Sequence, residues 1–314
     1  SFEESLIQIM MFLSCILVAN TYSIQVILNI AKKAAIAVVM VNFIYLFISP
    51  SDSFSSAGMV GIYHHKNNFG LVMAISALFI ILTPLNRCRS HYIYAFVAVA
   101  LLILSMSKTS MTLFVISMLF ALSLSKVSSD MFKKILSFLP SIIFFGIFIL
   151  FILALIYKVE IIDYLYYNLD EELMTGRGRL WLTMLLHAEN NLVTGFGFNS
   201  VWGKGDYSEI YFTDLFRASP LWVEELAGSD GGYIDLVLSI GLVGLFLFLT
   251  FLATTLVALL RAYKSPHFAC LFAIFTFIVL HNISETTFLL STNVLWFLMV
   301  LISCLTSTKV NKSF

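Results

Sequence analysis

Long apolar runs separated by short polar breaks fill most of this chain, and few of them alternate with a period of two. Nine stretches stand out, at about 5–20, 33–49, 68–83, 91–106, 111–125, 135–157, 233–260, 268–283 and 288–306. A helix needs roughly 20 apolar residues to cross a hydrocarbon core about 30 Å thick, whereas a membrane strand alternates in-and-out. The pattern predicts an all-α, polytopic integral membrane helical bundle of about nine spans. Six spans lie within 1–158, one long external segment occupies 159–232, and three spans lie within 233–314.

Composition agrees. Sixty per cent of the 314 residues are hydrophobic, 11% are charged and 30 are Phe, more apolar surface than a soluble domain can hide. Charge sets the orientation. With alternating span ends, one side collects Lys32, Lys33, Arg87, Arg89, Lys126, Lys133, Lys134, Arg261, Lys264, Lys309 and Lys312, with Asp130 as its one acid. The positive-inside rule makes that side cytoplasmic. The chain begins with Ser rather than Met and has no signal peptide, so further spans upstream are expected. Cys15, Cys88, Cys270 and Cys304 fall in spans or on the cytoplasmic side, where no external disulfide is expected, and no Cys/His spacing reads as a zinc site.

The long segment carries its own helical signal. In TGRGRLWLTMLLHAENN, Leu180, Met184 and His187 or Ala188 recur at helical spacing, and Trp181, Leu185 and Ala188 complete an apolar face. The following GFGFNSVWGKGDYSE is rich in Gly and aromatics and reads as irregular. No internal repeat or nucleotide-binding glycine loop is present.

Polar residues gather on the outer side. GIYHHKNNFG brings His65, Lys66 and Asn67 just before the third span, and SMSKTS brings Lys108 just before the fifth. Helix N-termini carry free amide donors and about half a positive charge, and a lysine beside each one suits a phosphate. The competing reading is that both lysines snorkel to lipid headgroups. Arg177 and Arg179, in GRGRLW at the loop-helix start, are candidates for gripping phosphate with paired hydrogen bonds; salt bridges to Asp170, Glu171 and Glu172 are the alternative. Arg217 is a further phosphate candidate. SDGGYIDL places Asp230 at the edge of the seventh span, with Tyr233 and Asp235 just inside. HNISETT places His281, Asn282 and Glu285 between the last two spans. Ionisable groups at such depth are functional candidates, and Asp235 and Glu285 serve equally as structural partners of Lys or Arg. His187 reads as a packing residue. Trp202, Tyr207 and Trp222 read as packing aromatics or as sugar-stacking ones.

In this order, these clusters resemble the bacterial O-antigen ligase and O-antigen polymerase superfamily, nearest its exopolysaccharide-polymerase-like branch. The resemblance covers about Val60 to Trp296. It rests on His65-Lys66-Asn67 before a span, the Ser105 to Thr109 turn, Gly178-Arg179 opening the loop helix, Gly195 to Phe198, and the Gly-Tyr-Ile-Asp run from Gly232 to Gly244. Counted from Gly178-Arg179, Trp181 falls two residues early for the family's G-R-x-x-x-W spacing. Family members often carry His-Asn before the Gly-Tyr of that run, and the His is discussed as the activating base; this chain has Asp230-Gly231.

The resemblance implies a glycosyltransferase on the outer leaflet of the bacterial inner membrane. Such an enzyme moves a glycan from undecaprenyl pyrophosphate to an acceptor hydroxyl, and no metal or other cofactor is expected. Lys66, Lys108, Arg177, Arg179 and Arg217 would bind pyrophosphate. Asp230 or His65 would take the acceptor's proton, unless the leaving group needs no base. Asn67, Tyr233, Asp235, His281 and Glu285 would bind substrate or acceptor. A polymerase extends another lipid-linked repeat unit, and a ligase loads lipid A–core. Expected partners are the lipid-linked glycan, the bilayer and other polysaccharide-assembly membrane proteins, with no nucleic acid. The rival of another class is a lipid-linked oligosaccharide transporter, which should place polar residues near the midplane and often shows repeats.

Overall fold

A computed structural model describes residues 2–84, 89–127, 129–168, 173–202 and 208–309. In chain order the helices are α1 (Phe2–Thr21), α2 (Ile24–Ile48), α3 (Pro50–Ser53), α4 (Lys66–Leu82), α5 (Arg89–Leu104), α6 (Lys108–Leu124), α7 (Ser129–Ile156) and α8 (Lys158–Asn168). They continue with α9 (Leu173–His187), α10 (Asp214–Ala218), α11 (Pro220–Glu224), α12 (Gly232–Arg261), α13 (Phe268–His281) and α14 (Val294–Lys309). Among the described residues one departure from an all-α chain occurs. It is a two-residue antiparallel ladder of β1 (Phe54–Ser55) and β2 (Gly58–Met59), with Phe54 opposite Met59.

Each of the nine apolar stretches holds a helix. Four are long and apolar enough to cross a membrane: Glu3–Thr21, Ile24–Ile48, Phe138–Ile156 and Gly232–Arg261. The other five, Lys66–Leu82, Ser90–Leu104, Lys108–Leu124, Phe268–His281 and Val294–Thr308, are apolar helices of 10–17 residues. The last begins at Val294 rather than 288 because Phe288, Leu289 and Leu290 are non-helical, with Leu289 in the left-handed region at φ +58°. The expected external segment is helical in large part, through α8 to α11.

The chain divides into two compact units. The second comprises residues 15–132, 258–281 and 301–314, and α4 lies at its centre against α2, α5, α6 and α13. Phe69, Met73, Ala74, Ala77, Leu78 and Ile80 of α4 are all buried, as expected of a helix that is apolar all round. Lipid tails are as apolar as Leu, so close packing rather than water exclusion holds such helices together. Gly70 is one point of closeness: a Cβ there would lie 2.7 Å from the Ser107 Cβ.

The first unit comprises residues 1–14, 133–257 and 282–300. Leu180 and Met184 of α9 and Ala188 just after it, the face read from the sequence, enter a core with Ile162, Leu192, Val201, Trp202, Ile210, Leu215 and Val223. Leu238 of α12 joins them. There α12 breaks at Gly241, whose φ of +68° and ψ of −175° are open in practice only to glycine. The break exposes backbone groups that residues 192–197 satisfy. Phe196 N–H donates to Leu238 O at 2.8 Å and Gly197 N–H to Ser239 O at 2.9 Å; Leu242 N–H donates to Leu192 O at 2.8 Å and Val243 N–H to Val193 O at 3.2 Å. Gly195 and Gly241 meet backbone to backbone, since a Cβ on Gly195 would lie 2.6 Å from the Gly241 nitrogen. The two glycine motifs of the sequence are therefore one contact.

Candidate active site

In the first unit several candidate side chains converge on the turn before α12. Arg177, near the start of α9, reaches across it. Its Nε donates to Asp230 Oδ2 at 3.2 Å, its Nη1 to the Ser284 carbonyl at 2.5 Å and its Nη2 to Glu285 Oε1 at 3.5 Å. The guanidinium and Glu285 are each 20% exposed, whereas the Asp230 carboxylate is 51% exposed and open to a reactant. A guanidinium presents five donors in a fixed fork, so one Arg can hold two carboxylates and a carbonyl together.

The turn itself is held from beneath. One helical turn beyond Arg177, the Trp181 indole donates to the Ser229 carbonyl at 2.8 Å. Asp230 sits at φ +53°, a left-handed conformation more tolerable to Asp than to most residues. Gly231 passes so close to Trp181 that a Cβ would lie 2.9 Å from the ring. Gly232 N–H donates to the carbonyls of Asn282 at 2.9 Å and Glu285 at 3.2 Å. Asp235, buried in the first turn of α12, accepts from the Ser229 amide at 3.1 and 3.3 Å and from the Thr286 hydroxyl at 2.5 Å. Asn282 accepts from the amides of Thr287 at 2.9 Å and Phe288 at 3.0 Å, which folds the segment after α13. Asp235 and Asn282 thus shape the backbone that presents Asp230. Tyr233 stacks edge-on against Phe288, with centroids 5.4 Å apart.

The remaining arginines of this unit differ. Arg179 is exposed and its side chain makes no hydrogen bond or ion pair among the described residues. Arg217 is exposed and pairs with Asp214 at 3.0 Å within α10. Asp170, Glu171, Glu172 and Tyr207 lie outside the described residues. His187 packs, as read, stacked on Phe196 at 5.3 Å and bonded to Glu209 at 3.2 Å. Trp202 is buried, while Trp222 is 46% exposed.

The second unit holds the other candidates. His65 caps α4, its Nδ1 accepting the Asn67 amide at 3.2 Å. Lys66 is the first residue of that helix, and its Nζ donates to the Ala57 carbonyl at 3.2 Å. Lys108 is the first residue of α6, exposed and without a side-chain partner among the described residues. The two helix starts adjoin: the Ser107 hydroxyl, in the α6 cap, lies 3.4 Å from Asn67 Oδ1 on α4. Both amide-rich ends and both lysines thereby belong to one neighbourhood of this unit. Tyr63 lies beside them, and burial raises its phenol above the ordinary range. His281 is buried and stacks nearly parallel on Phe277 at 5.6 Å.

Sequence reading placed Arg177 and Asp230 separately but not as a pair. It also passed over Ser229, Thr286 and the Ser284 carbonyl. The signal available for these was the run of hydroxyls in SETT facing an ionisable residue at the start of a span.

Apolar helices of spanning length, together with a guanidinium–carboxylate cluster at the N-terminal edge of one of them, define a multi-pass membrane protein with polar chemistry at a helix end. The family described as O-antigen ligase matches residues 93–249, half of the chain, and the chain belongs to it. That span includes Lys108, Arg177, Arg179, Arg217, Asp230, Tyr233 and Asp235, and it makes the chain an enzyme of the glycosyltransferase-like ligase and polymerase class of polysaccharide biosynthesis. No curated protein and no solved structure matches the chain.

Proposed function

We propose that this chain polymerises oligosaccharide repeat units carried on undecaprenyl pyrophosphate, on the outer face of the bacterial inner membrane, into a surface polysaccharide. One observation carries the reading: the fork of Arg177 between Asp230 and Glu285, in a family whose members transfer glycans. In the reaction a hydroxyl of the acceptor unit forms a bond to the anomeric carbon of the donor glycan. The bond from that carbon to the pyrophosphate oxygen breaks, and its electron pair leaves with the pyrophosphate. The hydroxyl proton passes to Asp230, the more exposed carboxylate of the cluster.

Electrostatics couple the two events. With both carboxylates ionised, one guanidinium and two carboxylates sum to a single negative charge, which repels a phosphate. Protonation of Asp230 cancels that charge and frees guanidinium donors for the leaving diphosphate, where fixed cations lower the barrier. Arg179, exposed on the same helix and without a side-chain partner among the described residues, is a further donor for it. In the second unit Lys66 and Lys108 are assigned to phosphate binding on the two helix starts joined through Ser107. His65 has its Nδ1 engaged as a cap, so only its Nε2 is available for proton transfer.

Deletion of the gene, read as a glycan ladder on a gel, tests the polymerase assignment. Loss of long chains with single repeat units still attached to the acceptor is the expected result. Loss of all attached glycan, with polymer retained on the carrier lipid, would make the enzyme a ligase instead.

A further inference from the structure

Beneath the Asp230 turn, wholly within the first unit, lies a cavity of about 150 Å³, walled by Phe198, Asn199, Trp202, Asp235, Ser239 and Thr286 among others. We propose that this cavity receives a single sugar ring of the lipid-linked glycan; that the ligand is a glycan rests on the proposed transferase function. The scale is that of one ring and not of a chain: a void of about 150 Å³ takes a bare six-membered carbon ring, and a pyranose, with about twice the heavy atoms, would use the open mouth of this cavity as well. The lining fits. A pyranose has apolar C–H faces and a girdle of hydroxyls, and the cavity offers Phe198 and Trp202 alongside the Asn199 amide, the carboxylates of Asp235 and Glu4, and four hydroxyls.

Three lining groups have bonding capacity to spare. Trp202 is 8% exposed and its indole N–H is turned to Asp235 at a geometry short of a full hydrogen bond, so this buried donor is incompletely satisfied among the described residues. Buried donors are nearly always satisfied, and a sugar hydroxyl would satisfy this one. The Asn199 side chain makes no hydrogen bond among the described residues and stands at φ +59°, a conformation Asn tolerates better than most. Asp235 accepts from the Ser229 amide and the Thr286 hydroxyl, whereas a carboxylate has about four acceptor sites. The cavity adjoins the first turns of α12, just beyond the exposed Asp230. A ring bound there would therefore lie at the same end of α12 as the Asp230 turn.

The test uses the full chain purified in detergent and a panel of methyl pyranosides: a hexose, an N-acetylhexosamine, a 6-deoxyhexose and a hexuronic acid. At least one should shift tryptophan emission saturably, and Trp202→Phe should abolish the shift. Ser239→Leu, which fills the cavity, should weaken binding roughly tenfold or more, the scale of one lost polar contact. Asn199→Ala should weaken it as well and serves if Ser239→Leu does not fold. No saturable shift with any pyranoside, or an undiminished shift in both variants, overturns the proposal. Transfer assays in membranes then separate donor from acceptor: a bound pyranoside that becomes extended occupies the acceptor position, and one that only inhibits occupies the donor position. Binding without any transfer activity would leave the cavity assignment standing and remove the transferase reading; transfer without binding would do the reverse.

Discussion

Gly241→Ala isolates the contact on which the first unit's architecture turns. At φ +68° and ψ −175° an alanine is strained by about 1–3 kcal/mol. Its Cβ would also lie 2.5 Å from the Val193 carbonyl carbon and 2.6 Å from the Gly195 nitrogen. Both are backbone atoms, with no side chain free to swing aside. Relief requires residues 192–197 to withdraw, which loosens four backbone hydrogen bonds worth about 0.5–1.5 kcal/mol each. A total cost of about 3 kcal/mol, rising to about 9 if all four bonds are lost, follows, enough to detach this loop or to unfold a marginally stable domain. Gly146→Ala is the matched control: nothing lies within 4 Å of its added Cβ, and Ala exceeds Gly in helix propensity by about 1 kcal/mol. Thermal unfolding in detergent, with proteolysis of the loop as a second readout, should show Gly241→Ala strongly destabilised and Gly146→Ala at or slightly above wild type. Equal melting of both variants and the wild type would refute the backbone-contact account of the two glycine motifs.

Further outcomes are expected at the site. Asp235→Ala strands the buried Ser229 amide and should cost about 1–3 kcal/mol by thermal unfolding, while Asp235→Asn, which keeps one acceptor, should recover most of that loss. Asp230→Asn, which tolerates the left-handed backbone but cannot take the proton, should lower transfer about 10²–10⁴-fold with stability retained, measured as glycan release from labelled lipid carrier. Lys66→Ala and Lys108→Ala should each raise the KM for the lipid-linked substrate about tenfold, the scale of one charge-assisted bond. Unchanged KM in both would favour headgroup snorkelling as the role of these lysines.

The helices were legible because apolar run length is a local property of sequence. Even the buried face of α9 could be read, since Leu180, Met184 and Ala188 recur at helical spacing. Helix starts were legible where a polar cluster marks them, as at Lys66 and Lys108. The start of α14 was not, because Phe288 to Leu290 are apolar yet follow Asn282 and Thr287 into a folded turn. The Arg177 cluster was invisible for a different reason: its partners Asp230 and Glu285 lie 53 and 108 residues away. No local periodicity encodes a pairing at that distance. Which arginine faces the carboxylates depends on the tertiary seat of α9, fixed by Trp181 on Ser229 and by its buried face. The glycines of 195 and 241 were recognisable as motif positions, but only packing explains why each is needed.

The guanidinium fork is tested most directly by Arg177→Ala, expressed in a strain deleted for the gene. The glycan ladder and the amount of membrane-inserted protein are read together. The expected result is wild-type protein abundance with no chains beyond a single repeat unit, and Arg177→Lys, which cannot span both carboxylates as a fork, recovering little. A full-length ladder from Arg177→Ala at normal abundance would contradict the assignment of this cluster to glycan transfer.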